Sequence, residues 1–293
     1  MINRWRFLGE SWRQIKRMPF FQHDGLRFYY EEHGSGIPLI FQHGLGGDVG
    51  QPIGIFKPPP GFRLLSMDCR AHGETRPLGD PNKIRLNCFA DDLLELLDRL
   101  ELARVIVGGI SMGAAVSLNF TLRYPERVIG LVLSRPAWLD KPMEQNMEIY
   151  TFIARLIRKH GPAQGLREFK ESSQYSTILK QSPDSANSLV GQFENPRAQE
   201  AVVRLERIPG DAPNWDRREW TLIKVPTLIL ASRQDPIHPF EYGEALAQTI
   251  PGAELRELTP KSVTKELHVK DVQQFLENFL IRHFSRYSGV STC

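Results

Sequence analysis

Ser111 stands in the middle of a five-residue segment that begins at Gly109 and ends at Gly113. An apolar run (105–107) precedes this segment, and a helix-competent stretch (114–118) follows it. A strand that turns sharply into a helix strains its middle residue and exposes that side chain at the carboxyl end of a sheet. Small residues on either side let the strand and the helix pass without collision. The pattern therefore predicts that Ser111 is a nucleophile.

A serine hydroxyl is a weak nucleophile at neutral pH, so it needs a base to take its proton and an acid to orient that base. On a strand–turn–helix scaffold the acid follows the serine along the chain, and the histidine follows the acid. Residues 227–231 predict the next clear strand, and the segment 232–236 at its end carries one acid, Asp235. We predict Asp235 as the acid. The alternative is an aspartate that only shapes the turn before Pro236.

Three histidines follow the predicted acid. His238 is close to it in sequence, which favours a role in lining the loop, and His283 falls late in a helical pattern, which favours the surface of that helix. His268 follows a strand candidate at 253–258 and stands at the threshold of the last helix. We predict His268 as the base. The alternative is a surface histidine at the start of a helix.

The tetrahedral intermediate of acyl transfer carries an oxyanion, which needs preorganised backbone donors. The amide of Met112, directly after the serine, is one predicted donor. A strand predicted at 38–41 runs into a glycine-rich loop at 43–47, and glycines let the backbone approach a substrate closely. The Leu45 amide is the second predicted donor, and we expect His43 to contact the substrate. The loop lacks the spacing of phosphate-binding motifs, which argues against nucleotide binding.

Arg135 lies just past the apolar run 131–133, at the predicted carboxyl end of a central strand. Ligands of open α/β sheets bind outside those ends. A guanidinium there is costly to desolvate unless it meets an anion of matching geometry. Two partners stay open: a carboxylate of the protein, or the carboxylate of an acidic substrate. We treat Arg135 as a candidate substrate-binding residue.

These motifs resemble the α/β-hydrolase fold superfamily, of the kind that carries a helical cap. The match covers about residues 25–138 and 222–285 and includes the loop at His43, the turn at 68–73, the Ser111 turn and Asp235. The resemblance implies that Asp68 and Arg70 brace the 68–73 turn as a pair. Relatives commonly place the base in a Gly-His pair before the last helix. This chain has no such pair at 259–267, and His268 comes later.

Strands and helices alternate along most of the chain. This alternation predicts an α/β fold with a mostly parallel central sheet flanked by helices. A leucine-rich helix is predicted at 89–100. Strands are predicted at 26–33, 38–42, 62–67, 104–109, 128–134, 226–232 and 253–258.

The alternation fails at 139–221, which we predict to be an inserted helical cap with no triad member. Its aromatic residues either line a substrate pocket or form the cap's own core. The hydrolase core is predicted at 21–138 and 222–293. Residues 1–20 predict an amphipathic helix. That helix either lies on an anionic membrane surface or packs on its own domain or a second subunit, and we favour packing, so a homo-oligomer stays open.

Composition sets broad limits on function. The 293 residues carry a net charge of +3 with no basic stripe, which argues against a nucleic-acid partner. Three cysteines without metal spacing predict a reducing, cytoplasmic location. No apolar run reaches the length of a membrane span.

We predict serine-dependent hydrolysis of a carboxylic ester or lactone through an acyl-enzyme intermediate. The expected partner is a small-molecule substrate, and we expect no metal or organic cofactor. Serine at the nucleophile position argues against a dehalogenase or epoxide hydrolase, since relatives of those kinds use aspartate there. Two alternatives stay open: hydrolysis of a carbon–carbon bond in a diketone-type substrate by the same triad, and a ligand-binding or receptor-like protein with weak turnover.

Overall fold

The computed structural model describes residues 19–285. The amphipathic segment predicted at 1–20 falls almost wholly outside the described residues, as does Cys293. Among the described residues, none of the helices combines the length and the apolar character that crossing a membrane requires.

Within residues 19–285, eight strands form one sheet in the order β1-β2-β4-β3-β5-β6-β7-β8. The pairs β1–β2 and β2–β4 are antiparallel, and the other five are parallel. The predicted α/β class is confirmed, and β1 is a strand that the sequence pattern did not predict. The strands are β1 (Phe20–His23), β2 (Leu26–Gly34), β3 (Ile37–Gln42), β4 (Phe62–Met67), β5 (Val105–Ile110), β6 (Val128–Ser134), β7 (Thr227–Ser232) and β8 (Glu254–Leu258).

Helices cover both faces of this sheet, because its central strands are apolar on both sides. Along β3, Ile40 packs into one hydrophobic cluster while Leu39 and Phe41 pack into the other. The helices are α1 (Gly50–Ile55), α2 (Leu86–Arg99), α3 (Met112–Arg123), α4 (Glu148–Glu171), α5 (Ser173–Gln181), α6 (Pro183–Glu194), α7 (Val203–Arg207), α8 (Phe240–Thr249) and α9 (Lys265–Phe284).

The chain between β6 and β7, where the cap was predicted, is helical and contains α4–α7. A break at Gly161 (φ 73°), followed by Pro162, divides α4 into two runs. Ser182 is the N-cap of α6, and its side chain accepts a hydrogen bond from the Ser185 amide. This first turn of α6 faces the carboxyl end of the sheet, where Ser185 Oγ donates to Asp235.

The register of the parallel strands brings their carboxyl ends to one edge. Ile110 pairs with Ser134, and Ser134 pairs with Leu230. The residues that follow β5, β6 and β7 are therefore neighbours in space. Ser111 and Arg135 belong to this edge, and Asp235 lies in the loop that leaves it.

A matched pair of glycine substitutions tests the close passage of α3 beneath the sheet. A Cβ on Gly113 would stand closer than 3.0 Å to the backbone of Gln42, whereas a Cβ on Gly191 in α6 meets nothing within 4 Å. Gly113→Ala is expected to lower the free energy of unfolding by about 1–3 kcal/mol, the usual range for overpacking. Gly191→Ala should raise it by about 0.5–1 kcal/mol, because alanine favours a helix interior. Urea unfolding of both variants measures this, and equal effects would contradict the packing argument.

Candidate active site

Ser111 joins β5 to α3 in a strained conformation, with φ 57° and ψ −110°. Its amide donates to the Ser134 carbonyl (2.9 Å), and its own carbonyl accepts from the amides of Ala114 and Ala115. The turn needs glycine on both sides, since a Cβ on Gly109 would collide with the backbone of Gly113. Ser111 Oγ makes no hydrogen bond with the residues that the structure describes. The hydroxyl is thus held at the sheet edge by its backbone alone.

Three neighbouring strands end in the same unusual way. Ser111 after β5, Arg135 after β6 and Gln234 after β7 all have positive φ, at 57°, 49° and 59°. Such conformations cost about 1–3 kcal/mol each in non-glycine residues and persist where the surroundings fix them. They lie where ligands of open α/β sheets bind.

The loop after β3 lies beside Ser111. A Cβ on Gly44 would stand 3.5 Å from the Cβ of Ser111. Gln51 fixes this loop by accepting a hydrogen bond from the Gly44 amide (2.7 Å). The Leu45 amide finds no acceptor within residues 19–285, and Met112 opens α3, so its amide has no carbonyl one turn back. Both amides named in the oxyanion-hole prediction are therefore available as donors.

His43 lies behind this loop. The Cys69 amide donates to its Nε2 (3.1 Å), so the ring hydrogen sits on Nδ1, which donates to the Gly44 carbonyl (2.8 Å). Burial lowers its pKa. The expectation that His43 contacts the substrate needs correction, because both ring nitrogens are used and the ring is fully buried. Its contacts are those of a brace for the loop.

Asp68 and Arg70 both brace the turn at 68–73, as predicted, but they do so without pairing with each other. Asp68 accepts from the amides of Val49 and Glu74, while Arg70 binds the carboxylates of Asp92 and Asp24. The two side chains therefore have separate partners. Asp68 ties the turn to α1, and Arg70 ties it to α2.

The Asp235 side chain is buried, and it is hydrogen-bonded to the Arg135 guanidinium and the His238 imidazole. Its Oδ2 accepts from Arg135 Nε (3.0 Å) and Nη2 (2.5 Å) and from His238 Nδ1 (2.9 Å). Its Oδ1 accepts from the amides of Ile237 and His238 and from Ser185 Oγ, each at about 3.2 to 3.3 Å. Of the two partners left open for Arg135, the structure shows the protein carboxylate, that of Asp235. The expectation that Arg135 binds the substrate therefore needs correction.

The charges in this cluster oppose the cost of burial. Burial favours the neutral carboxyl, yet Arg135 and His238 outweigh it and hold the pKa of Asp235 well below its usual range. Burial lowers the pKa of His238, with Arg135 acting in the same direction and Asp235 against it. At neutral pH the cluster is therefore an ionised carboxylate, a guanidinium and a neutral imidazole. His238 Nε2 is buried and has no hydrogen-bond partner in the described structure.

His268 lies in the first turn of α9, close to the predicted position at the start of the last helix. Its Nδ1 is hydrogen-bonded to the Thr259 carbonyl (2.8 Å) rather than to Asp235. Burial, with a further contribution from Arg135, lowers its pKa to about 4. The predicted pairing of Asp235 with His268 is therefore absent from this structure. The carboxylate carries His238 instead.

The sequence argument gave no catalytic or acid-binding role to three residues near this carboxylate: His238, which it placed only as a loop-lining residue, Ser185 and Lys261. The spacing of His238 three residues after Asp235 was a usable signal, because a loop turn can fold an imidazole back on such a carboxylate. Lys261 Nζ lies 3.7 Å from Asp184 Oδ2, and burial lowers its pKa to about 8. Ser185 and Asp184 belong to α6, so the inserted segment contacts the acid and its surroundings directly.

A cleft of about 610 Å³ lies between α4, α5 and the loop around His238. Phe152, Ile149 and Tyr242 line it together with Pro236 and Pro239. The other aromatic residues of the inserted segment mostly serve its own core. Phe169 packs against the rings of Tyr175 and Phe193, Trp220 is buried, and Trp215 is 63% exposed.

A family model described as alpha/beta hydrolase fold matches residues 37–261. The chain belongs to the α/β-hydrolase fold family. Proline iminopeptidase of Neisseria meningitidis serogroup B is 28% identical to it over 267 residues, covering 78% of this chain and 84% of the relative.

Two solved structures share the fold. An enol-lactonase from Burkholderia xenovorans has a TM-score of 0.68 at 22% identity, covering 89% of this chain and 99% of that chain. A meta-cleavage product hydrolase from Pseudomonas fluorescens also has a TM-score of 0.68, at 20% identity, covering 90% and 97%. Family membership and these relatives make the protein a hydrolase.

Replacing His268 with glutamine is expected to reduce the pH dependence of the free energy of unfolding in mild acid. Between the ordinary pKa of 6.5 and the folded value of about 4, the unfolded chain binds a proton at this position and the folded chain does not. The contribution of His268 to the free energy of unfolding is therefore complete above pH 6.5 and is lost as the pH falls toward 4. The slope for this one group is at most about 1.4 kcal/mol per pH unit.

Urea unfolding near neutral pH and in mild acid checks this prediction. The difference between the two free energies of unfolding should be smaller in His268→Gln than in the parent. His33→Gln, on the exposed end of β2, is the control and should leave the difference close to the parental one. Identical pH dependence in parent and His268→Gln would contradict the prediction.

Proposed function

We propose that the protein hydrolyses a carboxylic ester or lactone through an acyl-enzyme intermediate on Ser111. The observation that carries the proposal is the strained turn that holds Ser111 next to the Met112 amide and beside the loop that carries the Leu45 amide. Neither amide has an acceptor among residues 19–285. Backbone donors fixed before the reaction stabilise the developing oxyanion without reorganising during it. Serine in this position forms a covalent ester with the acyl group.

We propose His238 as the base in place of His268. A catalytic imidazole needs one nitrogen oriented by an acid and the other free to take a proton. His238 meets both requirements, since Nδ1 lies on Asp235 and Nε2 has no partner in the described structure. His268 is oriented by the Thr259 carbonyl and not by an acid, and its pKa is lowered to about 4. Catalytic hydrogen bonds to a serine commonly tighten only when substrate binds.

In the proposed mechanism His238 Nε2 takes the proton of Ser111 Oγ as the oxygen attacks the carbonyl carbon. The amides of Leu45 and Met112 hold the resulting oxyanion. Collapse of the tetrahedral intermediate expels the alcohol, which receives the proton from His238 Nε2. A water then attacks the acyl-enzyme by the same sequence and releases the acid and free Ser111. Asp235 stays ionised throughout and stabilises the transient imidazolium.

The substrate class is the narrower part of the proposal. The relatives include an enzyme named as a lactonase, one named as an iminopeptidase and one named as a meta-cleavage product hydrolase. The same constellation of residues serves carbon–carbon bond hydrolysis of a diketone-type substrate, which is the second candidate. A panel of aryl esters, lactones and vinylogous diketones distinguishes the two by their kcat/KM values.

Ser111→Ala should lose covalent labelling by a fluorophosphonate, because only an activated serine reacts quickly with such a reagent. Intact-mass spectrometry should show one adduct on the parent and none on the variant. Turnover of aryl esters should fall by about three or more orders of magnitude, as expected for loss of a nucleophile. The parallel control is Ser117→Ala in α3, which should label like the parent. Equal labelling of Ser111→Ala would refute the assignment.

His238→Ala is expected to reduce kcat nearly as much as Ser111→Ala, because nucleophile and base act as a unit. His268→Ala should retain a kcat within about tenfold of the parent, since it would remove packing and not the base. Steady-state kinetics of both variants, with thermal unfolding to confirm folding, decide between the two histidines. The reverse pattern would restore His268 as the base.

A further inference from the structure

Arg135 is the residue that connects the ends of β6 and β7. Its amide continues the sheet by donating to the Leu230 carbonyl (2.6 Å), and its φ of 49° turns the chain away directly afterwards. This conformation is unfavourable for a side chain as large as arginine. The turn directs the guanidinium to Asp235, one hundred residues along the chain.

The contacts of the guanidinium fall on one carboxylate oxygen. Nε and Nη2 both donate to Asp235 Oδ2, and Nη2 also lies 3.2 Å from His238 Nδ1. The same Oδ2 is the atom that receives His238 Nδ1–H. A carboxylate with a free torsion would turn that oxygen away from the imidazole, so two rigid donors on Oδ2 restrict the torsion.

The other partners of Asp235 hold its second oxygen. Ser185 and two amides of the same loop donate to Oδ1 at longer distances, while the planar fork of Arg135 supplies the closest contact of the cluster. Both side chains of the ion pair are about nine-tenths buried or more. Burial makes the pair costly to break from one side, because the remaining charge is then unpaired.

We propose that Arg135 is a positioning residue. Its guanidinium fixes the torsion of the Asp235 carboxylate so that Oδ2 accepts the hydrogen bond from His238 Nδ1. This inference rests on the proposed function in one respect, since it takes His238 as the base. It replaces the idea that Arg135 recognises an acidic substrate. Arg135 acts through Asp235 and touches no reacting atom.

The test uses Arg135→Lys and Arg135→Ala, with Arg127→Met as the matched control. Arg127 stands just before β6, as Arg135 stands just after it, and its guanidinium binds the carbonyls of Leu102 and Ala103 at the far end of the strand. Arg135→Lys keeps the charge and removes the planar fork. We expect kcat to fall on the order of 100-fold in both Arg135 variants, the size of effect that a small misplacement produces. KM should change by less than about threefold.

Free guanidinium ion provides a rescue experiment. In Arg135→Ala it should restore part of kcat, whereas sodium chloride at the same ionic strength should not. Arg127→Met should retain the parental kcat and gain nothing from guanidinium. Parental kcat in both Arg135 variants, or a loss that follows thermal stability equally in Arg127→Met, would overturn the inference.

A proton NMR signal makes the result independent of turnover. An imidazole Nδ1–H that donates to a carboxylate gives a strongly downfield resonance, assigned here by its absence in His238→Gln. It should disappear in Arg135→Ala and return with guanidinium. If the resonance behaves in this way but the parent shows no turnover, the proposed function is refuted and the role of Arg135 is supported. If the parent turns over substrate and is labelled at Ser111 by the fluorophosphonate, but the resonance is unchanged in Arg135→Ala, the role of Arg135 alone is refuted.

Discussion

The ionised carboxylate of Asp235, buried at the carboxyl end of the sheet, dictates what can surround it. A buried charge needs partners on every side, and this one draws them from β6 through Arg135, from its own loop through His238, and from α6 through Ser185. Each of those segments must end or turn at a fixed place. The strained backbone at Arg135 and Gln234 is compatible with that demand.

Much of this architecture is readable from the sequence, because local chemistry sets it. Apolar runs bounded by glycine and proline marked seven of the eight described strands. The glycines on either side of Ser111 predicted a sharp turn that larger residues at those two positions would not allow. Strand β1 escaped notice because four residues, Phe20–His23, carry too short a pattern, and the antiparallel partner that stabilises them lies beyond a turn at Asp24 and Gly25.

The partners of Asp235 were harder to predict, because they depend on side-chain directions across segments distant in sequence. Chain order pointed to His268, and nothing local indicated that its ring would turn to the Thr259 carbonyl. Likewise, position alone placed Arg135 at the ligand edge of the sheet. Whether its guanidinium met a substrate or Asp235 required knowing where the loop after β7 returns.

The hydroxyl of Ser185 on Asp235 has a consequence for how such an enzyme diversifies. Inserted segments of this kind are often pictured as exchangeable parts, replaced while the chemistry beneath is conserved. Here α6 supplies a hydrogen bond to the carboxylate, and Asp184 beside it faces Lys261 of the core. A foreign insertion without this serine would remove one of the three donors to Asp235 Oδ1. Exchange of the helical segment therefore requires compensating changes in the sheet-edge loops, and the two parts must evolve together.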